Sequence, residues 1–232
     1  LHIGPFIAGF NFTGSEQAGK LKMQNQSVNS GDDGHQGNCP WCGNDPLYRA
    51  YHDEVWGRPV TDSQDLFAKL CLDGQQAGLS WITILRKQKA YEAAFFDFDP
   101  ERIVTLGDAD IERLMLNPGI VRNRLKIRSI IRNATAYLTL RDKGLSFNRF
   151  LWQFVDGRPT INHFSRMDQV PATTTVSDHL SKALKQAGFN FVGSTIVYAF
   201  MQASGLVNDH LTGCPQHGVC AELAANPLIF AD

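Results

Sequence analysis

The stretch that decides the fold is "IERLMLNPGIVRNRLKIRSIIRNA", Ile111 to Ala134. It reads as a helix, a tight "NPGI" hairpin and a second helix, because Pro and Gly punctuate two helical patterns. From Arg113 to Arg132 it carries six basic residues (Arg113, Arg122, Arg124, Lys126, Arg128, Arg132) and no acidic one, in a chain of formal net charge −1. A hairpin between helices can aim backbone N–H groups and a helix N-terminus at a phosphate. Surrounding Lys and Arg would add salt-dependent affinity for DNA. The plainer alternative is a solvated helix face: Arg122, Arg124, Lys126 and Arg128 alternate and cannot all share one side of a helix.

Outward from this join the pattern stays helical. Residues 61–78 open with caps at Thr61–Ser63 and put Leu66, Phe67, Leu70 and Cys71 on one face. Residues 80–98 read as one further helix, with Ile82, Leu85, Tyr91 and Phe95 as candidate buried residues. A short helix at 99–106 has Pro100 at its first position, and another at 108–116 is capped by Asp108. A long helix over 121–144 ends at Gly144, and helices over 146–155, 175–188 and 192–205 complete the set. Alternating apolar–polar runs are few, so the expectation is an all-α protein.

The segment "LDGQQAGLSWITIL" places Asp73 just before a Gly-bounded turn and Trp81 shortly after it. Trp41, Tyr48, Tyr51 and Trp56 cluster earlier in the chain. An acid among aromatic rings can receive a flat cation, at about 0.5–2 kcal/mol for each cation–π contact. The bland alternative makes the rings core and Asp73 a cap.

The ends of the folded region carry a second constellation. Cys39 and His52 have twelve residues between them, and His210 and Cys214 have three. Together they make a complete Cys, His, His, Cys set for one structural zinc. The competing uses are hydrogen-bonded histidines and a redox "CPWC" at 39–42; the redox reading lacks the usual preceding strand and long following helix. Cys71 reads as core and Cys220 as part of a loose tail.

The length of 232 residues and 43% hydrophobic content allow a sizeable core, in one domain or two close lobes. No apolar run approaches a membrane span. Five cysteines and an apolar start without a basic n-region point to a reducing, cytoplasmic setting. Residues 1–22, upstream of Met23, read as leader sequence, and the polar 23–38 as a disordered extension. The folded domain is expected over 39–214, with a C-terminal tail at 215–232.

Five motifs, in order, resemble the 3-methyladenine DNA glycosylase I family: "DPLYRAYHDEVWG" (45–57), "DGQQAGLSWITIL" (73–85), "NPGIVRNRLKI" (117–127), "FVGSTIVYAFMQASGLVNDH" (191–210) and the closing Cys214. The resemblance implies a helix-hairpin-helix glycosylase fold whose zinc joins the two ends through Cys39, His52, His210 and Cys214. It implies a base pocket of Trp41, Tyr48, Tyr51, Asp73 and Trp81, with Asp73, Tyr51 and Trp81 central to catalysis. It further implies a DNA wedge at Gly78 and Leu79, and a backbone grip from Gly119, Ile120 and Lys126. The implied reaction is hydrolysis of the N-glycosidic bond of 3-methyladenine in double-stranded DNA, by a monomer without lyase action, after the base is flipped out. The sequence departs from the pattern at Asp73, where the family has Glu, at the extra thiol Cys42, and in the tail. Two rival readings are a zinc-dependent DNA-binding protein without activity and a thiol oxidoreductase.

Overall fold

The computed structural model describes residues 39–230; the expected leader and polar extension lie outside the described residues. After a single 3₁₀ turn at Pro40–Cys42, Asp45 caps α1 (Pro46–Glu54) by accepting from the N–H groups of Leu47 and Tyr48. α2 (Ser63–Gln76) is capped by Asp62 and buries every residue from Leu70 to Gln76. It is the central helix, packing on α3 (Trp81–Leu85), α7 (Arg124–Asp142), α8 (Phe147–Trp152) and α10 (Ser194–Ala203).

The single helix expected over 80–98 is instead three pieces: α3, α4 (Gln88–Ala94) and a left-handed turn at Phe96–Phe98. Left-handed backbone costs about 1–2 kcal/mol per non-glycine residue. The turn aims Phe95 and Phe98 into the core, where both are buried with ring centroids 6.3 Å apart. Burying a phenylalanine contributes about 1.5–3 kcal/mol, enough to offset the strain. α5 (Pro100–Ile103) and α6 (Asp108–Met115) follow, with Gly107 rather than Asp108 at the N-cap of α6. The 116–123 connection leads into α7, capped by Asn123, and α7 stops just before Gly144.

α9 (Thr175–Gln186) packs on α10, whose residues from Val197 to Ala203 are all buried. A two-residue parallel pairing of β1 (Thr160–Ile161) with β2 (Val207–Asn208) interrupts the otherwise helical chain. The tail is not loose. Residues Pro215–Ala225 form α11, with Pro215 at its first position and Cys220 1% exposed. No helix among the described residues is long and apolar enough to cross a membrane.

Candidate base-binding cavity and metal cluster

The last turns of α2 and the first of α3 face α1 across a cavity of about 260 Å³. Asp73, Tyr51 and Trp81 line it, with Tyr51 and Trp81 tilted at 45° and centroids 5.4 Å apart. Asp73 is 3% exposed, and among the described residues its Oδ2 has no hydrogen-bond partner; nor do the buried Trp81 Nε1 and Tyr48 hydroxyl. Buried polar atoms without partners are rare in folded proteins and commonly await a ligand. Burial, in the first place, pushes the Asp73 carboxyl up to about 7.

Trp41 and Tyr48 were expected in the same pocket. Neither lines the cavity. Trp41 packs edge-on against Tyr48, His52 and Trp56 at 4.9–5.2 Å, between the cavity and the metal cluster. The sequence reading missed Lys69, which lines the cavity one turn before Asp73 on α2. The signal was available, because positions i and i+4 of a helix share a face.

The turn after α2 presents Gly78 exposed and Leu79 half-buried. Lys126, expected on a DNA phosphate, is instead 6% exposed and donates from Nζ to the carbonyls of Gln75 (2.8 Å) and Ala77 (2.6 Å). Its ammonium caps the C-terminal end of α2, where carbonyls point out of the helix. Gln75 Nε2 returns a hydrogen bond to the Lys126 carbonyl at 3.0 Å. Tyr91 Oη donates to Gln75 Oε1 (3.2 Å) and accepts from the Val121 N–H (3.0 Å), so one buried chain of bonds ties the cavity helix to the hairpin.

The hairpin is held from within. The Gly119 N–H donates to Asn117 Oδ1 at 2.8 Å, and Lys87 Nζ donates to the Pro118 carbonyl at 2.7 Å. A Cβ on Gly119 would lie 2.7 Å from that of Ala90, so the approach admits only glycine. Ile120 is buried. The run of basic residues is largely neutralised by α6: Arg113 pairs with Asp110 and Arg128 with Asp108, while both guanidinium nitrogens of Arg124 reach Glu112. Arg122 is exposed and has no ion pair among the described residues.

On the far side of Trp41, Cys39, His52, His210 and Cys214 are buried with their ligand atoms within 4.8 Å of one another. His52 Nε2 lies 3.6 Å from Cys214 Sγ, and His210 Nδ1 lies 3.6 and 3.7 Å from the sulfurs of Cys39 and Cys214. A tetrahedral ion with metal–sulfur and metal–nitrogen bonds of about 2.3 and 2.05 Å requires nitrogen–sulfur edges near 3.6 Å, which these three separations match. The second ring nitrogens are also placed. His52 Nδ1 meets Asp53 Oδ1 at 2.7 Å, and His210 Nε2 meets the Trp56 carbonyl at 3.1 Å. Gly57 lets the two ends approach, since a Cβ there would meet His210 Nε2 at 2.8 Å. Asp209 anchors the approach from the other end, accepting from Tyr198, Gln202 and Asn162. Cys42 is not in the set; its thiol donates to the Cys39 carbonyl at 3.2 Å. Cys39 thus faces His210 and Cys214 in the Cys–His cluster, while Cys42 bonds to backbone.

Comparison with known proteins gives a consistent result. The profile of the methyladenine glycosylase family matches residues 41–217. "DNA-3-methyladenine glycosylase 1" of Escherichia coli (strain K12) is 52% identical over 176 residues, 76% of this chain and 94% of the relative. "DNA-3-methyladenine glycosylase" of Haemophilus influenzae is 50% identical over 177 residues, 76% of this chain and 96% of the relative. A crystal structure of 3-methyladenine DNA glycosylase I superposes with TM-score 0.76 at 56% identity, covering 77% of this chain and 98% of the other. A variant of the same enzyme type, solved in complex with 3-methyladenine, gives TM-score 0.75 at 42% identity, covering 78% and 97%.

Proposed function

Because this chain belongs to the methyladenine glycosylase family, we propose that it releases 3-methyladenine from alkylated double-stranded DNA as a monofunctional, zinc-containing enzyme. Its relatives at about 50% identity are glycosylases, and it is itself a hydrolase of N-glycosidic bonds. The observation that carries the substrate reading is the unpartnered Asp73 carboxylate oxygen in a cavity walled by the Tyr51 and Trp81 rings.

Methylation at N3 makes adenine cationic, so the base is already a good leaving group. The base leaves the duplex and enters the cavity, where the rings stack on its faces and Asp73 opposes its charge. The N-glycosidic bond breaks with its electron pair passing to the base, which leaves neutral. Water adds to C1′ and loses a proton, giving an abasic site. The α6–hairpin–α7 unit serves as the helix-hairpin-helix grip, with Gly119 and Ile120 at its tip and exposed Arg122 nearby. Gly78 and Leu79 occupy the gap left in the duplex. Trp41 and Tyr48 support the pocket from behind. Cys39, His52, His210 and Cys214 would hold a zinc ion, which would tie the chain ends together. The enzyme works as a cytoplasmic monomer.

Chromatography of bases released from DNA treated with a methylating agent tests this directly. Release of 3-methyladenine without strand cleavage is the expected result. Binding without release would favour the non-catalytic DNA-binding alternative.

A further inference from the structure

Lys69 is the one cation among the described residues lining the cavity, and the mechanism above gives it no part. It stands one helical turn before Asp73, on the same face of α2, so the two side chains share one wall. Among the described residues Asp73 Oδ2 has no hydrogen-bond partner. Lys69 is half-buried while Asp73 is fully covered, and both line the same cavity. We propose that Lys69 is the resident counter-ion of Asp73: it favours the charged form of the carboxylate until a cationic base enters, then withdraws and yields its place. The inference rests on the reading of the cavity as a base pocket.

Among the described residues, the groups around the pair leave Lys69 in this role. α2 brings Asp65, one turn before Lys69, as the other acid acting on it. α1 brings Glu54, exposed at the rim, and the phenols Tyr51 and Tyr48, both pushed upward first by burial and therefore uncharged at neutral pH. α3, α4 and α10 bring Trp81, Gln88 and Ala203, none of them charged. Lys126 of α7 is committed to the carbonyls of Gln75 and Ala77. Desolvation opposes the Asp73 charge, and Lys69 is a cation that opposes desolvation in turn. A cationic base can substitute for the ammonium; a neutral base cannot, and leaves the lysine where it is.

Carbon-13 titration of the Asp73 carboxyl in the intact, unliganded protein tests the pairing without reference to activity. Lys69→Met should raise the titration midpoint by about one pH unit, the lower end of the effect of a nearby opposite charge. Lys69→Arg should leave it near the wild-type value. The acid limb of the pH profile for 3-methyladenine release should move with it in Lys69→Met and stay in place in Lys69→Arg. An Asp73 midpoint unchanged by Lys69→Met would overturn the proposal. So would a Lys69–DNA adduct trapped with borohydride, because that requires Lys69 to act as a nucleophile. A wild-type protein that releases no 3-methyladenine would defeat the base-pocket reading instead, and the titration would still decide whether the pair exists.

Discussion

Asp73 has the shorter side chain where the family carries Glu, and its charge is what the site asks of it. Asp73→Asn preserves shape and hydrogen-bonding capacity but deletes the charge. A hydrogen bond to a charged group is worth about 1.5–3 kcal/mol, so 3-methyladenine release should fall about 10- to 100-fold while affinity for undamaged DNA is kept. Release equal to wild type would mean that shape alone selects the base. Asp73→Glu should be tolerated. The same residue has a stability signature. The folded protein holds the Asp73 proton up to about pH 7, against 3.8 for the ordinary group. Protonated Asp73 therefore contributes stability that is full below about pH 4 and is lost as the pH rises through 7. Asp73→Asn should melt a few degrees above wild type at pH 8 and close to it at pH 4, a difference that thermal denaturation at the two pH values measures.

At the scale of elements, the working unit is the end of α2 clamped to the start of α7. Lys126 holds the carbonyls of Gln75 and Ala77, so it governs where Asp73 and the Gly78–Leu79 turn stand. Lys126→Ala removes two charge-assisted bonds from a buried setting, a loss of about 2–3 kcal/mol. It should lower the melting temperature by several degrees and reduce base release, while the salt dependence of binding to undamaged DNA stays nearly unchanged. A shallower salt dependence with unchanged release would put the ammonium on a phosphate after all. Gly119→Ala tests the hairpin separately: the clash with Ala90 must displace the 117–121 turn, so affinity for any duplex should fall in a binding titration.

At the scale of the molecule, the Cys–His cluster brings chain positions 39 and 214 together and closes the fold around α2 and α10. Metal binding at such a site is coupled to folding. Chelation, Cys39→Ala or His210→Ala should each cost metal and lower the melting temperature, whereas Cys42→Ala should change neither by much. Equal zinc loss from Cys42→Ala with full retention in Cys39→Ala would reverse the assignment. Asp53→Asn, which removes the carboxylate behind His52, should weaken metal affinity about 10- to 100-fold with the ligands intact, as read by competition with a chromogenic chelator.

The helical class, most helix positions and the four members of the Cys–His cluster were legible in the sequence. Each depends on local information: apolar spacing, caps, and ligand types at short separations. Asp73, Tyr51 and Trp81 could be nominated from residue type, and the fold brings all three to one cavity. The tertiary structure alone sent Trp41 and Tyr48 behind the cavity, brought Lys69 into its wall, and turned Lys126 inward as a helix cap. It also split residues 80–98 so that Phe95 and Phe98 could both be buried, and it ordered the tail as α11 over Cys220. The basic run is the clearest case. Between Arg113 and Arg132 every charged residue is basic; Arg113 pairs within α6 at a spacing the sequence shows, but Arg124 and Arg128 of α7 meet Glu112 and Asp108 of α6 only in space. Charge compensation across a helix pair is set by which faces pack together, and that depends on distances no linear spacing contains.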